Sequence, residues 1–161
     1  MLLALALLAC TGPSAPAASP EAAPGRQAAV AATPRDLSRD EREGGHTLGR
    51  HVGLSEEELR QRLRRERHIT AASSWYDRAT AERVVGSVLA SSRERIEAWL
   101  ARSGPRPNLV LDYRGSPSDP IGRGLRRGGR GARPACDAVV VLKWAGGYRF
   151  FVLTAYPEVR R

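Results

Sequence analysis

Two of the chain's three histidines, His46 and His51, lie in a stretch punctuated by glycines, Gly44-Gly45-His46-Thr47-Leu48-Gly49-Arg50-His51-Val52-Gly53. Imidazole is the side chain whose ordinary pKa suits proton transfer in both directions near neutral pH. Glycines allow tight turns and let a ligand approach the backbone closely. The stretch therefore makes His51 a candidate acid or base, although a histidine of this kind is more often an ordinary surface or hydrogen-bonded residue.

Arg62 is a candidate phosphate ligand. It lies at the flank of an apolar stripe formed by Leu59 and Leu63. An arginine held against the edge of a core can present its planar fork to a phosphate with little loss of side-chain entropy. The alternative is a solvated helix face on which Arg62 pairs with Glu58 at i, i+4.

Thr154 and Tyr156 lie two residues apart in a run rich in β-forming residues near the end of the chain. Side chains alternate along a strand, so both point to the same face. A hydroxyl and a phenol at a strand end can bind a phosphate or orient an imidazole. Taken alone, the pair is more typical of ordinary strand residues.

The charge of the chain indicates a polyanionic partner. Its 161 residues include 26 Lys and Arg against 17 Asp and Glu, which gives a net charge of +9. From Asp36 onward there are 24 basic and 16 acidic residues, so +8 of this charge belongs to the later part of the chain. Nucleic acid, an acidic protein or an anionic membrane surface would suit such a domain. A solubility charge without a partner is the alternative.

The first residues have the composition of an export signal. Residues 1–9 are wholly apolar and end at Cys10, too short a run to span a bilayer. Leu7-Leu8-Ala9-Cys10 resembles a lipobox, which predicts lipidation and membrane attachment at Cys10. No Lys or Arg precedes the run, so a mis-set start or a longer anchor is the alternative. Residues 10–35, rich in Ala and Pro, predict a flexible linker before a domain at 36–161.

The domain is predicted to be α+β, with N-terminal helices followed by a curved antiparallel β-sheet. Ser55 and Glu58 form a capping-box pattern, so a helix is expected over 55–67. Apolar residues at three- and four-residue steps predict a second helix over 80–102. Strands are expected at 109–113, 138–144 and 148–156, with a long Gly- and Arg-rich loop over 114–134.

Taken together, these segments resemble the bacterial RNase A-like toxin domain found at the C-terminal tips of contact-dependent growth inhibition proteins and other polymorphic toxins. The resemblance covers Asp36 to about Pro157. It rests on the residues Asp36-Leu37, Asp40-Glu41, Gly44-Gly45-His46-Thr47-Leu48, Arg50-His51-Val52-Gly53, Ser55, Glu58-Leu59, Arg62-Leu63, Ile96, Trp99-Leu100, Leu153-Thr154 and Tyr156-Pro157. It implies a kidney-shaped fold like that of pancreatic ribonuclease, usually without its disulfides.

The resemblance implies a catalytic set of His51, Arg62, Thr154 and Tyr156, with His46 as an accessory residue. The implied activity is metal-independent endonucleolytic cleavage of RNA, in which the 2′-OH attacks the phosphorus and leaves a 2′,3′-cyclic phosphate. No cofactor is expected. RNA, with tRNA among the candidates, is the implied substrate, and the arginines of the basic loop are predicted to contact its backbone. These are Arg123, Arg126, Arg127 and Arg130.

The implied partner is a cognate immunity protein, expected to be acidic, and the toxin itself is expected to be a monomer. An exported protein, either secreted or held as a periplasmic or surface lipoprotein, would then act in the cytoplasm of a target cell. Two other readings are a non-enzymatic basic lipoprotein that binds acidic polymers and a degenerate toxin domain that serves as a binding module. Neither CxxC nor HxxxH spacing occurs, so no metal site is predicted.

Overall fold

A computed structural model of the chain describes residues 32–159. The predicted export signal, Cys10 and nearly all of the predicted linker lie outside these residues. Cys136 is a free thiol. Within residues 32–159, no helix has the length and apolar content needed to span a membrane.

Helices and antiparallel strands are both present, which confirms the predicted α+β class. The helices are α1 (Leu37–Arg42), α2 (Thr47–His51), α3 (Glu56–Arg65), α4 (Arg78–Ser91) and α5 (Arg93–Leu100). The strands are β1 (Ala71–Trp75), β2 (Leu109–Tyr113), β3 (Gly122–Arg126), β4 (Arg133–Ala135), β5 (Asp137–Trp144) and β6 (Phe150–Glu158).

The described strands form two three-stranded sheets, with the orders β1-β3-β4 and β2-β5-β6. All pairs within them are antiparallel. In the second sheet, Val141 pairs with Thr154 but its neighbour Leu142 pairs with Val152, so Leu153 is an extra residue that forms a β-bulge in β6. Strands β1 and β3 also contact β6, so the two sheets meet along this strand.

The first predicted helix is confirmed, and its start has the predicted capping box. The Ser55 hydroxyl accepts from the backbone N–H of Glu58, while the Glu58 carboxylate accepts from the backbone N–H of Ser55 at 2.7 Å. The second predicted helix is two helices, because the chain leaves helical geometry at Ser92. Beside the break, the Ser91 hydroxyl donates to the carbonyl of Val88, a local bond that competes with regular helix bonding.

Three strands were not predicted from the sequence. Strand β1 consists mainly of small residues, and it is a strand because it pairs with β3 along its length. Strands β3 and β4 lie in the segment predicted to be a loop. The glycines of β3 argue against a strand by propensity, yet a Cβ on Gly122 would lie 2.4 Å from the carbonyl oxygen of Ser74. Close backbone approach, which only the tertiary structure reveals, requires glycine there.

The main apolar core lies between helices α4 and α5 and the β2-β5-β6 sheet, with Trp75 fully buried in it. A second, smaller cluster joins α3 to the other sheet through Leu59, Leu63, Ala72 and Leu125. The two leucines that predicted the α3 stripe are therefore its buried face. This packing fixes α3 against β1 and β3, with Arg62 at the edge of the cluster.

The capping box makes a specific stability prediction. Replacing Ser55 with Ala removes the acceptor for the Glu58 N–H and should lower the free energy of unfolding by about 1 kcal/mol. Ser92→Ala is the matched control, since Ser92 is the N-cap of α5 but makes no side-chain capping bond. Urea denaturation of both variants measures the difference. Equal losses would show that the Ser55 cap does not stabilise α3.

Candidate active site

The predicted site residues converge on one cavity. Its volume is about 560 Å³, and His46, His51, Arg62, Thr154 and Tyr156 all line it. The rest of the wall comes from the end of α3 to β1, from β3 and from the last described residues, namely His68 to Ser73, Gly124, Arg126 and Pro157 to Val159. Residues separated by about a hundred positions in the chain therefore face the same space.

The bulge in β6 anchors the segment that precedes α2. Asp40 is buried, and its Oδ1 accepts from the backbone N–H of Val152 at 3.0 Å, while Arg35 donates to both of its carboxylate oxygens. Gly45 lies so close that a Cβ there would be 2.5 Å from the carbonyl oxygen of Val152. The second glycine of the Gly44-Gly45 pair is thus required by close approach to β6.

His46 and Thr47, which follow Gly45, also form hydrogen bonds with the backbone of β6. The backbone N–H of His46 donates to the carbonyl of the bulged Leu153 at 3.0 Å. The hydroxyl of Thr47, itself buried, accepts from the backbone N–H of Ala155 at 2.8 Å. The Gly-Gly-His-Thr motif is therefore bound along β6 at the residues around Thr154, and it positions α2, whose last residue is His51.

His51 is held by its Nδ1 atom. That atom lies 3.3 Å from the carbonyl oxygen of Ser73 and 3.5 Å from Nη1 of Arg62. The Ser73 carbonyl can only accept and the Arg62 guanidinium can only donate, so the two contacts favour opposite tautomers; the shorter one, to Ser73, favours a proton on Nδ1. Nε2 then has the free lone pair, and it makes no hydrogen bond within residues 32–159. The ring of Tyr156 lies 5.4 Å from the imidazole between centroids.

The surroundings keep His51 neutral. Burial, followed by the positive charge of Arg62, lowers the pKa of His51 to about 4, against the opposing effect of the Ser73 carbonyl. Burial and the charge of Arg50 also lower the pKa of His46. An imidazole with a pKa this low is unprotonated at neutral pH, which is the form required of a general base.

Arg62 is oriented by two acceptors. Its Nη1 donates to the backbone carbonyl of Arg50 at 3.0 Å, and its Nε lies 3.3 Å from the carboxylate of Glu66. Glu66 also binds Arg50 at 2.9 Å. The i, i+4 partner of Arg62 is thus Glu66, whereas Glu58 is used in the helix cap. Only 14% of the Arg62 side chain is exposed, so its guanidinium is preorganised at the cavity wall.

The two hydroxyl residues of β6 share the predicted face and both line the cavity. The Oγ1 of Thr154 is the one buried side-chain oxygen or nitrogen in residues 32–159 that has no hydrogen-bond partner. Burial, together with the negative charges of Glu158 and Asp112, raises the pKa of Tyr156. Its phenol therefore keeps its proton at neutral pH and remains a hydrogen-bond donor.

The four arginines predicted to bind substrate lie in different places. Arg126 lines the cavity, and Arg130 lies in an adjoining one. Arg127 donates to the carbonyls at the end of α3, including that of Leu63 at 2.6 Å. Arg123 stacks on the ring of Tyr76, 5.3 Å from its centroid. The structure adds His68 to the cavity wall; no sequence signal distinguishes this histidine, which follows α3 without a motif.

One neutral imidazole, one oriented guanidinium and two hydroxyls are suited to binding and acting on a phosphodiester. Within residues 32–159 there is no group of three or more His, Cys, Asp or Glu residues placed to hold a metal ion. The side chains that line the cavity can supply proton transfer, hydrogen bonding and stabilisation of negative charge.

Residues 45–157 match the profile of the bacterial CdiA-CT RNase A domain family. The chain belongs to this family. As a CdiA-CT RNase A domain, it is an RNase A-like toxin domain, which confirms the resemblance drawn from the Gly-Gly-His-Thr motif and the later segments. Among curated proteins, none matches this chain.

A solved structure supports the same assignment. The domain is similar to a crystal structure of a CdiA-CT/CdiI complex from Y. kristensenii, with a TM-score of 0.63 and 29% sequence identity. The similarity covers 71% of this chain and 100% of the matched chain. The fold of the CdiA-CT RNase A domain is thus supported by both sequence and structure.

Two threonines of this CdiA-CT RNase A domain, each with a buried hydroxyl, should respond differently to replacement by Val. Thr47→Val leaves the N–H of Ala155 without its acceptor and should lower the free energy of unfolding by about 1–3 kcal/mol. Thr154→Val removes a hydroxyl that has no partner, so stability should stay the same or rise by about 1 kcal/mol. Urea denaturation of the free protein measures both. A large loss of stability in Thr154→Val would mean that its hydroxyl is bonded in the free protein.

Proposed function

We propose that this toxin domain is a metal-independent endoribonuclease that cleaves RNA by attack of the 2′-OH on the adjacent phosphorus. The observation that carries the proposal is the convergence of His51, Arg62, Thr154 and Tyr156 on one cavity of about 560 Å³. Family membership supports ribonuclease activity in general. The reaction course and the residue roles below are inferred from the geometry.

In the proposed reaction, Nε2 of His51 takes the proton from the 2′-OH. The 2′-oxygen forms a bond to phosphorus, the bond from phosphorus to the 5′-oxygen breaks, and a proton is delivered to the leaving oxygen. The products are a 2′,3′-cyclic phosphate and a 5′-OH end. RNA contains its own nucleophile, so positioning, proton transfer and charge stabilisation are sufficient for the reaction.

The other residues act on the phosphate. Arg62 stabilises the charge that develops on the non-bridging oxygens, and its fixed orientation means that little reorganisation accompanies the reaction. Thr154, whose hydroxyl lacks a protein partner, donates a hydrogen bond to the phosphate. The second proton transfer falls to His46 or Tyr156, which line the same cavity, or to water. Tyr156 holds its proton at neutral pH, while a bound phosphate anion would favour protonation of His46.

The partners follow from the family. The matched structure is a complex of a CdiA-CT with CdiI, and we propose that a cognate immunity protein likewise binds this domain in the cell that produces it. An acidic immunity protein would complement the net charge of +9. The toxin would act on RNA in the cytoplasm of a target cell after export and delivery.

His51→Ala should abolish cleavage of total cellular RNA, with a loss of at least about 100-fold, because general base catalysis commonly contributes that much. The wild-type rate should persist in excess EDTA, and new ends should be cyclic phosphates. Tyr148→Ala, which alters an exposed residue of the β5–β6 loop, is the control for handling and folding. Wild-type activity in His51→Ala would refute the role of His51, and loss of activity in EDTA would indicate a metal nuclease.

The acid side of the pH profile should report on His51. Cleavage, measured as kcat/KM, should rise with pH as His51 loses its proton, with a midpoint near its pKa of about 4. Arg62→Met removes the nearby positive charge, so the pKa should rise and the midpoint should move to higher pH. Arg62→Lys keeps the charge and should move it less. An unmoved midpoint in Arg62→Met would show that Arg62 does not influence the titrating group.

A further inference from the structure

A second cavity adjoins the candidate active site. It has a volume of about 420 Å³ and shares Gly124, Arg126 and Val159 with the first. Its other lining residues come from the end of β3 to the start of β4, namely Gly129 to Arg133. Arg126 is thus the junction between the two spaces, and Arg130 and Arg133 lie in the second. We call the second cavity, with Arg126, Arg130 and Arg133, the arginine groove.

The three guanidinium groups of this groove are not engaged by the rest of the protein. The side chains of Arg126, Arg130 and Arg133 make no hydrogen bond or ion pair within residues 32–159. Arg127, from the same segment, instead holds the end of α3 through three backbone carbonyls. The segment from Arg126 to Arg133 therefore contains one arginine that stabilises the fold and three whose guanidinium groups are available to bind a ligand.

Few carboxylates are placed to neutralise the groove. From residue 120 to 136 the chain contains no Asp or Glu. Glu56 is near Gly131, but its carboxylate is bound by Arg60 and by the backbone N–H of Ala132. Glu158 lies in the wall of the first cavity and not of the second. The groove thus holds uncompensated positive charge next to the proposed site of cleavage.

The glycines of the segment widen this space. Gly129 and Gly131 both line it and carry no side chains. A guanidinium binds a phosphate through two parallel hydrogen bonds and does not read the base. Open backbone and three unpaired guanidiniums suit an extended chain of phosphates better than a compact small molecule.

We infer that the arginine groove binds the RNA backbone beside the scissile phosphate, as an extended subsite for single-stranded RNA. Arg126 binds the RNA strand where the active-site cavity meets the groove. Arg130 and Arg133 contact the next phosphates along that RNA strand. The inference rests on the proposed function and deepens it, because it makes a longer RNA a better substrate than a dinucleotide. It also gives the arginines of one segment two roles: Arg126, Arg130 and Arg133 bind RNA phosphates, whereas Arg127 supports the protein fold.

Substrate length tests the groove. We compare kcat/KM for a dinucleotide and for a twelve-nucleotide single strand of one sequence, using the wild type and the double variant Arg130→Gln/Arg133→Gln. The double variant should lose about tenfold or more on the long substrate, because two phosphate contacts are removed. On the dinucleotide it should match the wild type within about twofold, since the active site is intact. Arg83→Gln/Arg93→Gln removes the same charge from exposed positions in α4 and α5 and should leave both values unchanged.

A binding measurement separates this inference from the proposed function. The affinity for a twelve-nucleotide RNA with a 2′-deoxy residue at the cleavage site is measured over a range of salt concentrations. The double variant should bind the RNA more weakly. The slope of its log binding constant against log salt concentration should be shallower by about 0.7 for each lost phosphate contact. If the wild type cleaves nothing but this slope changes, the catalytic proposal fails and the groove stands. Equal losses of kcat/KM on the dinucleotide and the long substrate, or an unchanged salt slope, would show that the arginine groove does not bind RNA. The charge of the groove would then suit an acidic protein partner instead.

Discussion

The attachment of the Gly-Gly-His-Thr segment to the bulge of β6 is the constraint on which the site depends. A bulge leaves backbone groups of its strand without ladder partners, and buried backbone groups must be paired. Asp40, His46 and Thr47 pair three of them in succession, at Val152, Leu153 and Ala155. The same bonds fix α2, and therefore His51, against the strand that carries Thr154 and Tyr156. The bonds that hold this segment on β6 therefore also position the side chains of the site.

The site holds two polar groups in unfavourable surroundings. His51 is buried without a carboxylate partner and next to a guanidinium, which disfavours its protonated form and lowers its pKa. The hydroxyl of Thr154 is buried without a partner. Polar groups left in such unfavourable surroundings are characteristic of sites whose ligand completes them. The surrounding packing, with Trp75 fully buried, supplies the stability that offsets the cost of the unpaired hydroxyl.

Local patterns were sufficient for several elements. The Ser55 and Glu58 pattern predicted the start of α3, and the residues Leu59 and Leu63 predicted its buried face, because helix capping and amphipathicity depend on neighbours three or four positions away. Alternation along β6 predicted that Thr154 and Tyr156 share a face. The specific order of short motifs predicted the family. Propensity failed for β1 and β3, whose small residues and glycines are strands only because each pairs with the other across some fifty intervening positions.

The sequence by itself determined the α+β class, helix α3, strands β2, β5 and β6, and the types of side chain available for chemistry, since each follows from local spacing. Only the tertiary structure decided how those side chains meet. It placed His51 beside Arg62 and Tyr156, assigned Asp40 and Thr47 to holding the bulge, and separated Arg127 from Arg126, Arg130 and Arg133. The physical reason is that burial, close approach and charge proximity depend on residues far apart in the chain, and no local pattern encodes those distances.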